Sequence, residues 1–292
     1  MDVLLQAVAS GLLIGMVYAL ISVGLTLIFG LMEIVNFAHG EFLMLAMYAA
    51  FWGSALIGLD PMLSLPLTVV AMALLGVLTY YGIIARILRA PMLAQIFATF
   101  GLGLLLRGLA QFFFSPDFRS VPGSFLAGLF GGNVQVGGVS LGVPQIAAAL
   151  LAGVAFALLY FFITRTRTGL ALQAVAEDRS TAALMGINSD RMFALGWGLG
   201  AGCVGIAGAV LASFYYIHPS VGVLFALIAY IVVALGGFGS VPGALVAGLI
   251  VGVVEVVSPT LFGFSPAYKY AVVFGLYLVV VLIRPQGLFG HF

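Results

Sequence analysis

Long apolar runs, separated by short polar interruptions, extend along almost the whole chain. A helix that crosses a bilayer needs about 20 predominantly apolar residues, and these runs lack the alternation typical of a membrane β-barrel. The pattern therefore predicts an all-α, polytopic helical bundle with about eight or nine membrane spans and at least one broken helix. The predicted spans cover about 4–29, 40–57, 67–85, 91–114, 144–163, 192–214, 221–235, 244–257 and a final run that ends at Arg284.

Residues 164–191 form the most strongly charged interruption in this apolar pattern. Their spacing predicts two short helices, because Ser, Thr, Asp and Asn cap helix starts and Gly ends helices. An ordinary solvated loop with positive charge would carry similar residues, so the pattern alone leaves both interpretations open. The predicted boundary residues are Thr168 or Gly169 for the first helix, Asp178 or Ser180 and Gly186 for the second, and Asn188 or Ser189 for the following span.

The distribution of Lys and Arg predicts the orientation, because short cytoplasmic loops are enriched in these residues. We expect residues 164–191 to be cytoplasmic, together with Arg89 and the C-terminal segment around Arg284. Residues 115–143, which are rich in Gly and Pro and can form a short hairpin, then lie outside, as does Lys269.

Composition supports the membrane class and excludes a soluble one. The chain is 64% hydrophobic and 7% charged, whereas soluble domains are about 45–50% apolar and about 25% charged. Its 39 glycines suit close helix packing, and Gly11-xxx-Gly15 and Gly248-xxx-Gly252 have the spacing of such contacts. A net charge of +1 gives no indication of nucleic-acid binding.

The sequence contains no recognisable catalytic constellation and no phosphate-binding loop that carries a Lys. We therefore expect neither an enzyme nor a nucleotide-binding protein. Cys203 is the single cysteine, which excludes an intrachain disulfide, and neither metal-ligand spacing nor a cofactor motif is present.

A few polar side chains interrupt the apolar spans, and they are the candidates for a translocation path: Asn36, His39, Glu41 and Glu255. Ionisable residues are unfavourable in lipid, so a functional role is the first hypothesis. The alternative is that Asn36 and its neighbours cap the ends of a broken helix and never touch substrate. Residues 30–41 can accordingly form a loop or a break within the membrane, and the predicted external N-terminus depends on that choice. Arg107 can pair with another polar group, face a cavity or extend to the outer interface.

Four motifs resemble one family of transport proteins. They are NFAHGEF (36–42), AEDRSTAALMGINSDR (176–191), GGFGSVPGA (236–244) and RPQGLFG (284–290). Together they resemble the LivH-type permease subunits of bacterial ABC importers for branched-chain amino acids. The motifs extend over almost the whole chain, so the resemblance implies a single transmembrane permease domain over residues 1–292.

The resemblance also implies roles and partners. Residues 176–188 would be the coupling segment that docks into a groove on an ATP-binding subunit. The positions carried over are Ala176, Glu177, Asp178, Ala183, Gly186, Ile187 and Asn188. The partners would be a second related permease or a copy of this chain, two cytoplasmic ATPases and a soluble extracytoplasmic binding protein. The location would be the bacterial inner membrane, with a cytoplasmic C-terminus.

The substrate class that the resemblance implies is a branched-chain or other apolar amino acid. Relatives of this kind also handle urea, short amides or aromatic acids, which are the alternative substrates. A secondary transporter driven by an ion gradient is a rival interpretation, for which Glu255 and residues 33–41 are the only candidate ion sites. The remaining rival interpretation is a channel or a purely structural membrane subunit.

Overall fold

The computed structural model describes residues 2–58, 60–121, 132–136, 138–263 and 265–290. These residues form a helical bundle with one small hairpin. The helices are α1 (Asp2–Met32), α2 (His39–Ile57), α3 (Leu65–Thr79), α4 (Met92–Phe114), α5 (Val143–Arg165), α6 (Arg167–Glu177), α7 (Arg179–Leu184), α8 (Ser189–Leu211), α9 (Val221–Gly236), α10 (Val241–Phe262) and α11 (Lys269–Ile283). A π-helical turn (Tyr80–Ile84) and a short helix (Ala85–Ile87) continue α3, and a 3₁₀ turn (Pro266–Tyr268) precedes α11.

The predicted all-α membrane architecture is confirmed. Within the described residues, seven helices are long and apolar enough to cross a membrane, and α9 and α11 are shorter apolar helices. Each predicted span corresponds to one of these nine helices. Whether the two shorter helices cross completely stays a prediction, because each falls short of the approximately 20 residues that a full span needs.

The predicted hairpin within residues 115–143 is also present. Strand β1 (Asn133–Val136) pairs antiparallel with β2 (Val139–Gly142). Residues 122–131, which belong to the same predicted external loop, lie outside the described residues.

Helix α1 lies at the centre of the bundle and packs most extensively against α10. The two small-residue motifs face each other there: a Cβ atom added at Gly15 would lie 2.8 Å from the carbonyl oxygen of Gly248. A Cβ atom added at Gly11 would lie 2.9 Å from the carbonyl oxygen of Gly252. Glycine is required at these positions because the two backbones approach too closely for any side chain. The predicted packing role of both motifs is therefore confirmed.

The two ends of the bundle are held by different contacts. At one end, the Gln6 Nε2 amide donates to the Ser140 carbonyl oxygen at 2.6 Å, so the N-terminus lies beside the hairpin. At the other end, the Leu288 and Phe289 N–H groups donate to the Leu235 and Gly236 carbonyl oxygens at 2.8 and 3.0 Å. The C-terminal tail thereby satisfies carbonyl groups that the end of α9 leaves unpaired.

Candidate functional site

Residues 176–188, the predicted coupling segment, are anchored to the bundle by the preceding helix α6. Leu172 and Val175 of α6 are almost completely buried, while Gln173 and Ala176 line a cavity with Ser240 of the turn between α9 and α10. The predicted start of α6 at Thr168 or Gly169 is wrong by about one to two residues. The hydroxyl oxygen of Thr166 accepts from the Gly169 N–H at 3.0 Å, so Thr166 caps a helix that begins at Arg167.

Asp178 caps α7, which confirms the first of the two predicted alternatives, Asp178 or Ser180. Its Oδ1 atom accepts hydrogen bonds from the N–H groups of Ser180 and Thr181 at 2.8 and 3.1 Å, and both hydroxyl groups also donate to the carboxylate. Hydrogen bonds from Thr181 and Ser180 hold the pKa of the Asp178 carboxyl group well below its ordinary value. Asp178 is thus ionised and committed to the cap, whereas Glu177 is exposed and has no ionic partner among the described residues.

The other end of α7 is closed by backbone hydrogen bonds. The Gly186 N–H donates to Ala183 O at 3.0 Å, and the Ile187 N–H donates to Ala182 O at 3.1 Å. This Schellman arrangement needs a left-handed residue, and Gly186 has φ +80°. Asn188 then caps α8 by accepting from the Arg191 N–H at 3.0 Å. The predicted stop at Gly186 is confirmed, and of the two predicted caps, Asn188 or Ser189, Asn188 is the one observed.

The tip of the coupling segment presents apolar side chains to the surroundings. Leu184 is 87% exposed and Met185 is 79% exposed. Neither residue was among the candidates, although the sequence contains a signal for them: two large apolar residues immediately before the glycine that ends a short polar helix. Of the seven candidate positions, Ile187 is half-buried and the other six are exposed.

A polar contact connects the coupling segment to two long helices. Arg179 forms an ion pair with Asp190 at 3.2 Å, and its guanidinium group lies 5.1 Å from the ring centre of Phe193 in α8. The hydroxyl group of Tyr80 donates to the same carboxylate of Asp190 at 3.3 Å. Tyr80 lies in the π-helical turn after α3, so α3, α7 and α8 meet at one acidic side chain.

Residues 33–38 form a break inside the bundle and not a loop at its end. The Nε2 atom of His39, the first residue of α2, lies 2.9 Å from the carbonyl oxygen of Ile21. Ile21 lies about 16 Å before the end of α1 at Met32, given a rise of about 1.5 Å per residue. The chain therefore returns beside α1 before α2 begins, which favours a break over a loop at residues 30–41.

Side chains form hydrogen bonds with backbone groups in this break that have no helical partner. The Asn36 Oδ1 atom accepts from the Ala38 N–H at 3.1 Å, as the capping alternative expects. The Tyr230 hydroxyl group donates to the Asn36 carbonyl oxygen at 2.6 Å, and the Thr99 hydroxyl group donates to the Val35 carbonyl oxygen at 3.1 Å. Side chains of α4 and α9 thus replace the missing helical hydrogen bonds, as buried irregular backbone requires.

Glu41 pairs with Arg107 across the interior of the bundle. The Arg107 Nε–H donates to Glu41 Oε1 at 3.0 Å, and a second guanidinium nitrogen contacts the same oxygen. Arg107 therefore pairs with another polar group, which is the first of its predicted alternatives. Asn36 and His39 are fully buried and Glu41 is almost so. These three candidates form one buried cluster around the break.

Glu255 does not join that cluster. Its Oε2 atom accepts from the Tyr18 hydroxyl group at 2.6 Å, and its Oε1 atom accepts from the Lys269 ammonium group at 2.6 Å. Tyr18 and Ile21 lie about one turn apart on α1, so the two polar clusters contact the same central helix. Across the described part of the chain, no group of three or more His, Cys, Asp or Glu side chains could hold a metal ion.

Comparisons with known proteins identify one consistent family. The model of the family described as branched-chain amino acid transport system / permease component matches residues 7–282. The chain is 33% identical to the high-affinity branched-chain amino acid transport system permease protein BraD of Pseudomonas aeruginosa, over 98% of this chain and 96% of BraD. It is 33% identical to the permease protein LivH of Escherichia coli K12, with the same coverage. No solved structure matches significantly.

Proposed function

The chain belongs to the branched-chain amino acid transport system permease family, and on this premise we propose that it takes up branched-chain or other apolar amino acids as the membrane-spanning subunit of an ATP-driven importer. The observation that carries the proposal is the coupling segment, a short helix capped at both ends and exposed at one end of an otherwise apolar bundle.

The coupling segment has the properties of a docking element for a soluble ATPase. Capping by Asp178 and closure at Gly186 hold α7 in one conformation before binding, which reduces the conformational entropy lost on docking. Leu184 and Met185 supply apolar surface, and burial of such a side chain contributes about 1.5–3 kcal/mol. Glu177 supplies a negative charge that a basic group in the partner could meet.

The contacts of Asp190 provide a route by which movement of the coupling segment reaches the spans. Arg179 belongs to α7, Tyr80 follows α3, and both bind Asp190 at the start of α8. Displacement of α7 by closure of the ATPases would therefore pull on α3 and α8 together. Rigid-body movement of helices in this way is a known mode of alternating access.

The remaining partners follow from the organisation of this family of transport systems. We infer two cytoplasmic ATP-binding subunits, a second permease subunit or a copy of this chain, and a soluble extracytoplasmic binding protein. The coupling segment and the C-terminal tail lie at the end of the bundle opposite the hairpin, which supports a cytoplasmic C-terminus and an external loop 115–143.

The proposal is tested by purifying the complex from its native membranes through a tag on this chain and reconstituting it into proteoliposomes. We expect ATP-binding subunits to co-purify, and radiolabelled L-leucine uptake to require ATP and the binding protein. Urea, short amides and aromatic acids are included as competitors, because they are the alternative substrates. Uptake that survives ATP depletion but collapses with an ion gradient would instead identify a secondary transporter, and ungated conductance would identify a channel.

A further inference from the structure

A small cavity of mixed polarity lies between α1, α5 and α10, at the end of the bundle that carries the hairpin. Its volume is about 250 Å³. Glu255 of α10 and Lys269 at the start of α11 both line it, and their charged atoms are 2.6 Å apart. The cavity therefore contains one negative and one positive group side by side, with Tyr18 bonded to the negative one.

The cavity wall also contains apolar and polar side chains. Leu13, Ile14 and Val256 are apolar, while Ser10 and Gln145 are polar and lie towards the hairpin end of α1 and α5. Gln145 is exposed, so the cavity is open to the surroundings on that side. A ligand that enters there meets polar groups at the mouth, an apolar wall, and the charge pair.

We propose that this cavity binds the zwitterion of an apolar amino acid, through Glu255 for the α-ammonium group and Lys269 for the α-carboxylate. The inference rests on the proposed function and deepens it by naming the residues of the permease that recognise substrate. The α-ammonium and α-carboxylate groups of an amino acid are as close together as the two charges of the cavity. A hydrocarbon side chain then has Leu13, Ile14 and Val256 to pack against.

Charge conservation makes the exchange feasible. Without ligand, Glu255 and Lys269 neutralise each other, and Glu255 is only 3% exposed. When a zwitterion enters, Glu255 exchanges the ammonium group of Lys269 for the α-ammonium group of the ligand, and Lys269 exchanges the carboxylate of Glu255 for the α-carboxylate. No buried charge is then left unpaired. A ligand with only one of the two charges would leave either Glu255 or Lys269 without a partner, which is unfavourable for charged groups that are largely removed from water.

A purely structural ion pair explains the site less well. Replacement of a buried ion pair by apolar residues of similar size is often neutral or stabilising, so packing alone does not require these charges. The side chain of Lys269 is also 33% exposed, which leaves its ammonium group accessible to a ligand. An accessible cation held on a buried carboxylate inside a cavity is the arrangement that a zwitterion site needs.

The test uses a single cysteine as a reporter in the complete importer complex. Cys203 is the only native cysteine of this chain. The reporter protein therefore combines Cys203→Ser with Gln145→Cys in the cavity wall, and labelling is measured on this chain. Gln135→Cys, on the exposed hairpin strand β1, is the matched control. We expect L-leucine to slow maleimide labelling of Gln145→Cys by about tenfold, since each 1.4 kcal/mol of ligand-dependent protection gives a factor of about ten. Labelling of Gln135→Cys should not change.

Analogues and charge-neutralising variants separate recognition from a structural effect. In the reporter protein, 4-methylpentanoate lacks the ammonium group and isopentylamine lacks the carboxylate, so both should protect at least about tenfold less well than L-leucine. Glu255→Gln should remove the preference for leucine over 4-methylpentanoate, and Lys269→Gln should remove the preference for leucine over isopentylamine. Misfolding would abolish protection by every ligand and would not produce these two opposite changes in preference.

The outcomes distinguish this site from the proposed function. If ATP-dependent leucine uptake is present but leucine never slows labelling of Gln145→Cys, the site is refuted and the function stands. If leucine protects but the two variants keep the native preference, Glu255 and Lys269 are not the recognition groups and the proposal is refuted. If protection and preference behave as expected but uptake is independent of ATP, the site stands and the proposed function is overturned.

Discussion

The apolar tip of the coupling segment gives the sharpest test of the proposed docking to an ATP-binding subunit. We consider the double substitution Leu184→Ala and Met185→Ala. Leu184 is 87% exposed and Met185 is 79% exposed, so both side chains contribute little to the fold of the free permease. The expected change in the free energy of unfolding is within about 0.5 kcal/mol, as for most surface substitutions.

The expected effect on docking is much larger. Truncation of Leu or Met to Ala removes roughly three heavy atoms, which corresponds to about 2 kcal/mol of burial for each residue. If docking buries both side chains completely, the double variant loses about 4 kcal/mol, or about 1,000-fold in affinity for the ATPase. If docking buries only half of the exposed area, the loss is about 2 kcal/mol, or about 30-fold.

The assay measures the dissociation constant between detergent-purified permease and the ATP-binding subunit, together with leucine-stimulated ATP hydrolysis. Leu170→Ala is the matched control, because Leu170 is 52% exposed on α6 and lies outside the coupling segment. We expect the control to retain native affinity and the double variant to lose it, while both melt at the native temperature. Native affinity in the double variant would refute the docking role of α7.

Three further predictions concern the cap, the helix packing and the orientation. Asp178→Ala should loosen α7 and lower coupled ATP hydrolysis, whereas Glu177→Ala should lower hydrolysis and leave α7 as resistant to protease as it is in the native protein. In the native protein, the cap should cause no change in coupled hydrolysis between about pH 5 and 8, because the depressed pKa keeps the Asp178 carboxylate ionised until the pH falls below that range. Gly252→Ala places a Cβ atom against the α1 backbone and should lower the free energy of unfolding by about 1–3 kcal/mol, as measured by thermal unfolding. Gly101→Ala places its Cβ atom in open space and should leave the free energy of unfolding unchanged. A cysteine introduced by Ser180→Cys should react with an impermeant maleimide only from the cytoplasmic side.

Each of these predictions can fail in a distinct way. Full coupling in Asp178→Ala would show that the cap is dispensable, and an unfolded α7 in Glu177→Ala would show that Glu177 has a structural role. Equal melting temperatures for the two glycine variants would contradict the close approach of α1 and α10. Labelling of Ser180→Cys from outside would reverse the orientation of the whole chain.

Features that depend on near neighbours in the chain could be predicted from the sequence. The spans follow from the length of apolar runs, and the ends of α7 follow from side chains within three positions of the helix, as at Asp178 and Gly186. The family resemblance predicts the coupling segment for a similar reason, because its motif is continuous in the chain. Even there, α6 begins at Arg167 with Thr166 as its cap, and not at the predicted Thr168 or Gly169, because more than one nearby residue is able to cap the helix.

Features that depend on how the helices pack could not be predicted from the sequence and are seen only in the tertiary structure. Glu41 meets Arg107 and Glu255 meets Tyr18 across sequence separations of 66 and 237 residues. Such pairs require that two helices have the right depth and rotation, which a hydropathy pattern does not contain. The break at residues 33–38, the connection of Tyr80 to Asp190 and the cavity beside Lys269 arise in the same way. Local hydrogen bonds and burial in lipid specify which segments are helices and how α7 ends, so these features can be predicted from the sequence. Which polar side chains share a site depends on three-dimensional packing.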